Sequence, residues 1–133
     1  MQIRIILTER ILFIDDETVI PEIYKSMLQQ LGYQVEIRTN PLEALDYFRE
    51  NPDKVDIIIT DQTMPGITGI ELAKRFLQLS PGLPIILCTG FSQQEVGEAA
   101  RKAGIPEVLF KPIGRLTLAQ TIRKVLDYKT PME

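Results

Sequence analysis

Short apolar runs alternate along the chain with longer stretches in which apolar residues recur every three or four positions. Five of the runs are rich in β-branched residues and predict strands at residues 10–14, 34–39, 55–60, 84–88 and 107–110. The sequence DIIIT at 56–60 is almost entirely apolar, which is typical of a central strand buried on both faces.

The stretches between and after these runs have the spacing of amphipathic helices. The first has Pro21 in its opening turn and Gly32 as its stop, and Asn40-Pro41 supplies an N-cap and first helical residue for the second. The third is predicted to begin near Gly69, and the fourth to end before Gly104. The fifth has an apolar face made of Leu118, Ala119, Ile122, Val125 and Leu126.

A strand followed by a helix, repeated five times, predicts an α/β fold with a parallel sheet covered on both faces. We expect a doubly wound, five-stranded, flavodoxin-like (βα)5 sheet with strand order 2-1-3-4-5. The expected organisation is one domain at residues 10–128, an N-terminal extension at 1–9 and a C-terminal tail at 129–133.

Composition narrows the classes of function. The chain of 133 residues has a net charge of −3 and a pI near 5.1, which disfavours nucleic acid as a partner because phosphate binding needs a basic face. No signal peptide is predicted, and no apolar run approaches the roughly 20 residues of a membrane span. The lone Cys88 is interpreted as a small buried hydrophobe and favours a reducing compartment, hence a cytoplasmic location. The absence of histidine excludes Ser-His-Asp catalysis and histidine-ligated metal sites.

Residues able to do chemistry fall at the predicted strand ends. Asp15 and Asp16 follow the first strand, Asp61 the third, Thr89 the fourth and Lys111 the fifth. Because the carboxyl ends of parallel strands lie at the same edge of the sheet, we expect these side chains to share a pocket. Each alone has an ordinary explanation, such as a turn, a helix cap or a surface lysine. Their joint placement favours a functional site.

The predicted pocket has the chemistry of phosphoryl transfer. Three neighbouring carboxylates repel one another by several kcal/mol at an effective dielectric constant of about 20, so the site predicts a cation. Oxygen ligands select a hard ion, for which Mg²⁺ is the obvious candidate. Lys111 and the Thr89 hydroxyl could contact phosphate oxygens, and an aspartate could be the nucleophile that forms an acyl phosphate.

Four stretches, ILFIDDE, DIIITDQTMPGITGIEL, PIILCTG and FKPI, together resemble the receiver domain of bacterial two-component response regulators. The resemblance extends over about residues 10–128. It implies that Asp61 accepts a phosphoryl group from a partner's phosphohistidine, that Thr89 is the switch hydroxyl and that Lys111 binds phosphate. It also implies a cis Lys111-Pro112 bond and a protein that catalyses only its own phosphorylation and dephosphorylation.

The same resemblance implies how Mg²⁺ is held. Asp16 would be a direct ligand, with Asp15 helping through water and Asp61 completing the carboxylates. Thr63, two residues after Asp61, would offer its backbone carbonyl.

The chain departs from the family pattern where receivers usually carry Tyr or Phe, three residues before the lysine. That position is Val108, and Phe110 lies next to the lysine instead. Our hypothesis is that Val108 keeps a fixed apolar contact and that switching relies on the loop near Thr89. Phe91 is expected to shield the acyl phosphate from water.

The implied partners are a sensor histidine kinase or a histidine phosphotransfer domain. A homodimer could form through the face of the fourth helix, fifth strand and fifth helix, at about residues 93–127. Besides Lys111, that face has the basic residues Arg101, Lys102, Arg115, Arg123 and Lys124. TERILFIDDE and ILCTGFSQ further resemble receivers attached to hybrid sensor kinases.

Three other functions remain open at this point. A haloacid-dehalogenase-like phosphohydrolase also uses an aspartate and Mg²⁺, but it normally has a second aspartate where this chain has Thr63. A flavin carrier on the same fold would need a phosphate loop where Asp15-Asp16-Glu17 stands. A phosphorylation-independent binding module would keep the fold and lose the switch.

Overall fold

Five parallel strands form one sheet in the order β2-β1-β3-β4-β5, as predicted. The computed structural model describes residues 9–90 and 94–128. Expectations for Phe91, the extension up to residue 8 and the tail at 129–133 therefore lie outside the described residues. The strands are β1 (Arg10–Ile14), β2 (Gln34–Arg38), β3 (Ile57–Asp61), β4 (Ile85–Thr89) and β5 (Glu107–Phe110).

The helices of the described residues follow the strands in the predicted alternation. They are α1 (Val19–Gln30), α2 (Pro41–Glu50), α3 (Gly69–Leu79), α4 (Gln94–Lys102) and α5 (Arg115–Tyr128), with a short 3₁₀ turn at Pro52–Lys54. Asn40 caps α2 as predicted, since its side chain accepts from the Leu42 and Glu43 N–H groups. Within the described ranges, no helix is both long and apolar enough to cross a membrane.

The boundaries of β3 differ from the prediction. The strand begins at Ile57 rather than at residue 55, and it includes Asp61, which was expected just beyond it. The cause is the pairing with β4, which continues to Asp61 and Cys88, whereas the pairing with β1 stops at Thr60. Asp61 is therefore held by a sheet partner rather than by a loop.

Two apolar clusters cover the two faces of the sheet. Alternate strand residues point to opposite faces, so Leu12 and Ile58 join one cluster while Phe13 and Ile59 join the other. The first cluster includes Phe76 of α3, and the second includes Leu28 of α1 and Ile122 of α5. Burial on both faces makes the sheet a rigid base for its carboxyl edge.

The start of α3 lies against the end of β3. Thr68 and Glu71 form a capping box at this helix end. Gly69 is buried there, and a Cβ atom built on it would contact the Asp61 carbonyl oxygen and lie 2.6 Å from Leu87 Cδ1. The close approach of α3 to Asp61 therefore requires a residue without a side chain at position 69.

Gly69→Ala is expected to lower the free energy of unfolding by about 1–3 kcal/mol, the usual range for overpacking. The matched control is Gly97→Ala in α4, where an added Cβ meets nothing within 4 Å. That control should be neutral or stabilising by up to about 1 kcal/mol, because alanine favours helix. Urea unfolding of both variants checks this, and equal midpoints would contradict the packing at Gly69.

Candidate functional site

The three predicted aspartates meet at the carboxyl edge of the sheet. One carboxylate oxygen from each of Asp15, Asp16 and Asp61 lies within 4.8 Å of the others. Asp15 follows β1 and is 3% exposed, Asp61 ends β3 and is 7% exposed, and Asp16 is exposed to solvent. The Glu17 N–H donates to Asp15 Oδ1 at 3.0 Å and fixes that carboxylate.

Lys111 faces this acidic cluster from the loop after β5. Its Nζ lies 3.0 Å from Asp61 Oδ1 and 3.5 Å from Asp15 Oδ2. Its backbone N–H donates to the Thr89 carbonyl at 2.8 Å, which joins the ends of β4 and β5. The Lys111-Pro112 bond is cis, as expected. The structure thus brings the four predicted charged groups into one site.

Burial and neighbouring charge shift the pKa values of two of these groups. Desolvation and the nearby Asp15 charge raise the pKa of Asp61, against the hydrogen bond and charge of Lys111. Burial opposes the ammonium form of Lys111, but the hydrogen bond to Asp61 and the charges of both carboxylates raise the pKa of Lys111. Lys111 therefore stays charged, and the ionised form of Asp61 is disfavoured by its surroundings.

This donor set fits a hard divalent cation. Three carboxylates and one ammonium leave two uncompensated negative charges when all are ionised. Every donor is a carboxylate oxygen, the type that Mg²⁺ prefers. Asp16 is open to solvent, which suits an ion that keeps several of its waters.

Gln62 holds the loop between Asp61 and α3. Its backbone N–H donates to the Cys88 carbonyl at 2.8 Å, and its own carbonyl accepts from the Gly69 N–H at 2.9 Å. Its side-chain Oε1 accepts from the Ile70 N–H at 3.0 Å. No local sequence pattern indicated this role. Thr63 follows in the exposed part of the loop, and its use as a carbonyl ligand stays a prediction.

The residues around the expected switch differ in how deeply they are buried. Thr89 ends β4 and is 1% exposed. Val108 is half-buried and packs against the apolar cluster that contains Leu87; that this contact stays fixed during switching is still a prediction. Phe110 is 44% exposed. The roles of Thr89 and Val108 in switching stay predictions.

Cys88 is a buried structural residue, as expected from its position in an apolar run. Burial raises the pKa of its thiol to about 12, against the attraction of Lys111. A thiol that stays protonated near neutral pH is not a nucleophile.

Two of the basic residues on the α4–β5–α5 face already have acidic partners within the chain. Arg123 contacts Glu9 at 3.0 Å and Asp127 at 2.9 Å, and Lys124 contacts Glu107 at 2.7 Å. The hydrogen bond from Arg123 lowers the pKa of Glu9 against the effect of burial. Arg101, Lys102 and Arg115 are exposed. These three are the residues of that face with most freedom to meet a partner.

Comparison with known proteins gives one consistent family. The model of the response regulator receiver domain matches residues 11–123. The chemotaxis protein CheY of Thermotoga maritima is 31% identical over 118 residues, covering 88% of this chain and 97% of that protein. The transcriptional regulatory protein ZraR of Salmonella typhimurium is 33% identical over 118 residues, covering 89% of this chain. The chain spans only 26% of ZraR.

Solved structures show the same similarity. A response regulator receiver domain protein from Clostridium thermocellum superimposes with a TM-score of 0.86 at 30% identity, covering 91% of this chain and 96% of that one. CheY4 of Vibrio cholerae gives a TM-score of 0.84 at 30% identity, covering 90% of this chain and all of that one (100%). The fold thus matches that of these two receiver structures over nearly the whole of their chains.

The crowding of carboxylates yields a prediction for stability without a divalent ion. Asp61→Asn keeps the shape of the side chain and removes a buried negative charge, so it should raise the free energy of unfolding by about 1–2 kcal/mol at pH 7 in chelator. Asp46→Asn on α2, whose side chain is 70% exposed, should change it by less than about 0.5 kcal/mol. Urea unfolding measures both, and a less stable Asp61→Asn would contradict the electrostatic account.

Proposed function

The chain belongs to the response regulator receiver domain family, and we propose that Asp61 is the residue on which it carries its phosphoryl group. The family gives the chain a phosphoacceptor role in two-component signalling. The observation that carries the assignment to Asp61 is its position: a buried carboxylate 3.0 Å from Lys111 Nζ and within 4.8 Å of two further carboxylates. We take the domain itself to extend over residues 10–128.

The proposed reaction is an in-line displacement at phosphorus. A carboxylate oxygen of Asp61 forms a bond to the phosphorus while the phosphorus–nitrogen bond of the donor phosphohistidine breaks. The electron pair of that bond stays with the donor imidazole, which takes up a proton. The Lys111 ammonium donates to a phosphoryl oxygen, and the Thr89 hydroxyl donates to another.

Asp15, Asp16 and Asp61 would hold Mg²⁺, with the Thr63 carbonyl as a further ligand. When bound, the ion neutralises the carboxylates and the charge of the phosphoryl group. The support for this assignment is the oxygen-only donor set and the two negative charges that Lys111 leaves uncompensated. Asp16, exposed beside two buried aspartates, is suited to be the direct ligand at the open side.

The phosphoryl donor must be another domain, another protein or a small molecule, because the chain has no histidine. We propose a sensor histidine kinase or a histidine phosphotransfer domain as partner, in a cytoplasmic setting. Apolar side chains exposed at the starts of α1 and α5, where the partner must approach Asp61, support docking there: Val19, Ile20, Ile23 and Leu116. The α4–β5–α5 face remains our proposed surface for output or for a homodimer.

The rival functions are not favoured. A haloacid-dehalogenase-like phosphohydrolase would need an acid/base side chain at position 63, where this chain has Thr63. In our proposal the phosphoryl group stays on the chain's own aspartate and no external phosphate ester is hydrolysed. A phosphorylation-independent module would have no need of the complete set of Asp15, Asp16, Asp61 and Lys111 that the structure brings together.

Asp61→Asn should abolish phosphorylation by acetyl phosphate, because an amide oxygen cannot form the acyl phosphate. The measurement is incorporation of hydroxylamine-sensitive phosphate, expected at about one per chain in the unchanged protein. Asp56→Asn is the matched control, since Asp56 directly precedes β3, at the opposite end from Asp61, and its carboxylate accepts from the Arg10 N–H. Full labelling of Asp61→Asn would refute the assignment.

Asp16→Ala should weaken Mg²⁺ binding by at least about tenfold, because it removes the solvent-facing carboxylate of the cluster. Calorimetric titration with MgCl₂ measures the dissociation constant. Asp46→Asn on α2 serves as control for the loss of one negative charge far from the site. An unchanged dissociation constant in Asp16→Ala would show that the ion, if it binds, uses other ligands.

A further inference from the structure

The hydroxyl of Tyr24 connects α1 to the loop that follows Lys111. It donates to the Ile113 carbonyl at 3.1 Å and accepts from the Ile113 N–H at 3.3 Å. One side chain thus satisfies both backbone groups of a residue that is only 9% exposed. Tyr24 and Ile113 are 89 residues apart in sequence, so this contact is purely tertiary.

The ring of Tyr24 is fixed by a second contact. It stacks on Phe13 with ring centroids 5.9 Å apart and an interplanar angle of 18°. Phe13 lies in β1, two residues before Asp15. Tyr24 therefore bridges the strand that positions Asp15 and the loop that presents Lys111.

Hydrogen bonds fix the backbone of the Lys111 segment at two points. Its own N–H donates to the Thr89 carbonyl at 2.8 Å, and the Tyr24 hydroxyl holds Ile113 two residues further on. Between these two points, Nζ reaches Asp61 at 3.0 Å and Asp15 at 3.5 Å. A shift of the loop would carry the ammonium away from the oxygen atoms that it faces.

We propose that Tyr24 is a positioning residue for phosphoryl transfer, acting through Lys111. This inference rests on the proposed function of Asp61 and Lys111. Among the described residues the Tyr24 hydroxyl bonds to the backbone of Ile113 and not to the carboxylates, so Tyr24 acts by fixing the backbone from which Lys111 extends. Misplacement of a charged group by about 1 Å can cost up to roughly 100-fold in rate.

Tyr24→Phe keeps the ring and its stacking on Phe13 but removes both hydrogen bonds to Ile113. We expect the initial rate of phosphorylation by acetyl phosphate, at saturating Mg²⁺, to fall about tenfold. The dissociation constant of Mg²⁺ should stay within about twofold of the unchanged protein, because the three aspartates keep their places. Tyr47→Phe is the matched control, since Tyr47 lies on α2 at the other face of the sheet, beneath Arg38. Its rate should be unchanged.

A double-mutant cycle with Lys111→Met separates positioning from a general structural role. If Tyr24 acts through Lys111, adding Tyr24→Phe to Lys111→Met should cause little further loss of rate. A further tenfold loss in that background would overturn the proposal, and so would a normal rate in Tyr24→Phe alone. Asp61→Asn assayed in parallel separates failure of the proposed function from failure of the role of Tyr24. Phosphate labelling of Asp61→Asn would refute the proposed function itself. If Asp61→Asn is not labelled but Tyr24→Phe is phosphorylated at the normal rate, only the role of Tyr24 is refuted.

Discussion

Repulsion among the carboxylates at one edge of the sheet is the constraint on which the other features of the site depend. Two unit charges 4.8 Å apart repel by roughly 3–4 kcal/mol at an effective dielectric constant of 20, and the nearest oxygens of Asp15, Asp16 and Asp61 form three pairs at or within that distance. Lys111 offsets part of this energy. The remaining repulsion lowers the stability of the folded state, and a bound divalent cation would remove it. A cation attracted by this uncompensated charge would also attract a phosphoryl group, which suits the edge to phosphoryl chemistry.

Hydrogen bonds and close packing between backbone segments hold these charged groups together. Parallel pairing of β3 with both β1 and β4 fixes Asp61 between Asp15 and Thr89. Gly69 lets α3 approach the Asp61 carbonyl, and Gln62 joins that helix to the end of β3. The contacts of Gly69 and Gln62 lie at the end of β3, where the strand leads into the loop before α3. The precision of the site therefore resides in the loops as well as in the sheet.

Much of this arrangement was predictable because it follows from periodicity. The strand order follows from the alternation of strands and helices. The residues at or just after the strand ends then meet at one edge of the sheet, and these are Asp15, Asp16, Asp61 and Lys111. The end of β3 at Asp61 was not predictable, because it depends on how far β4 pairs with it. Gln62 and Tyr24 were missed for a related reason: a side chain bound to distant backbone leaves no local pattern. The capping box of Thr68 and Glu71, by contrast, has a spacing that the sequence displays.

A crystal structure with Mn²⁺ and beryllofluoride tests the central claim most directly, because manganese gives an anomalous signal and beryllofluoride mimics a phosphoryl group on an aspartate. We expect an anomalous peak among Asp15, Asp16, Asp61 and the Thr63 carbonyl. We also expect beryllium bonded to an Asp61 oxygen and fluorine within hydrogen-bond distance of Lys111 Nζ. A manganese ion bound elsewhere, or beryllofluoride on a different residue, would contradict it.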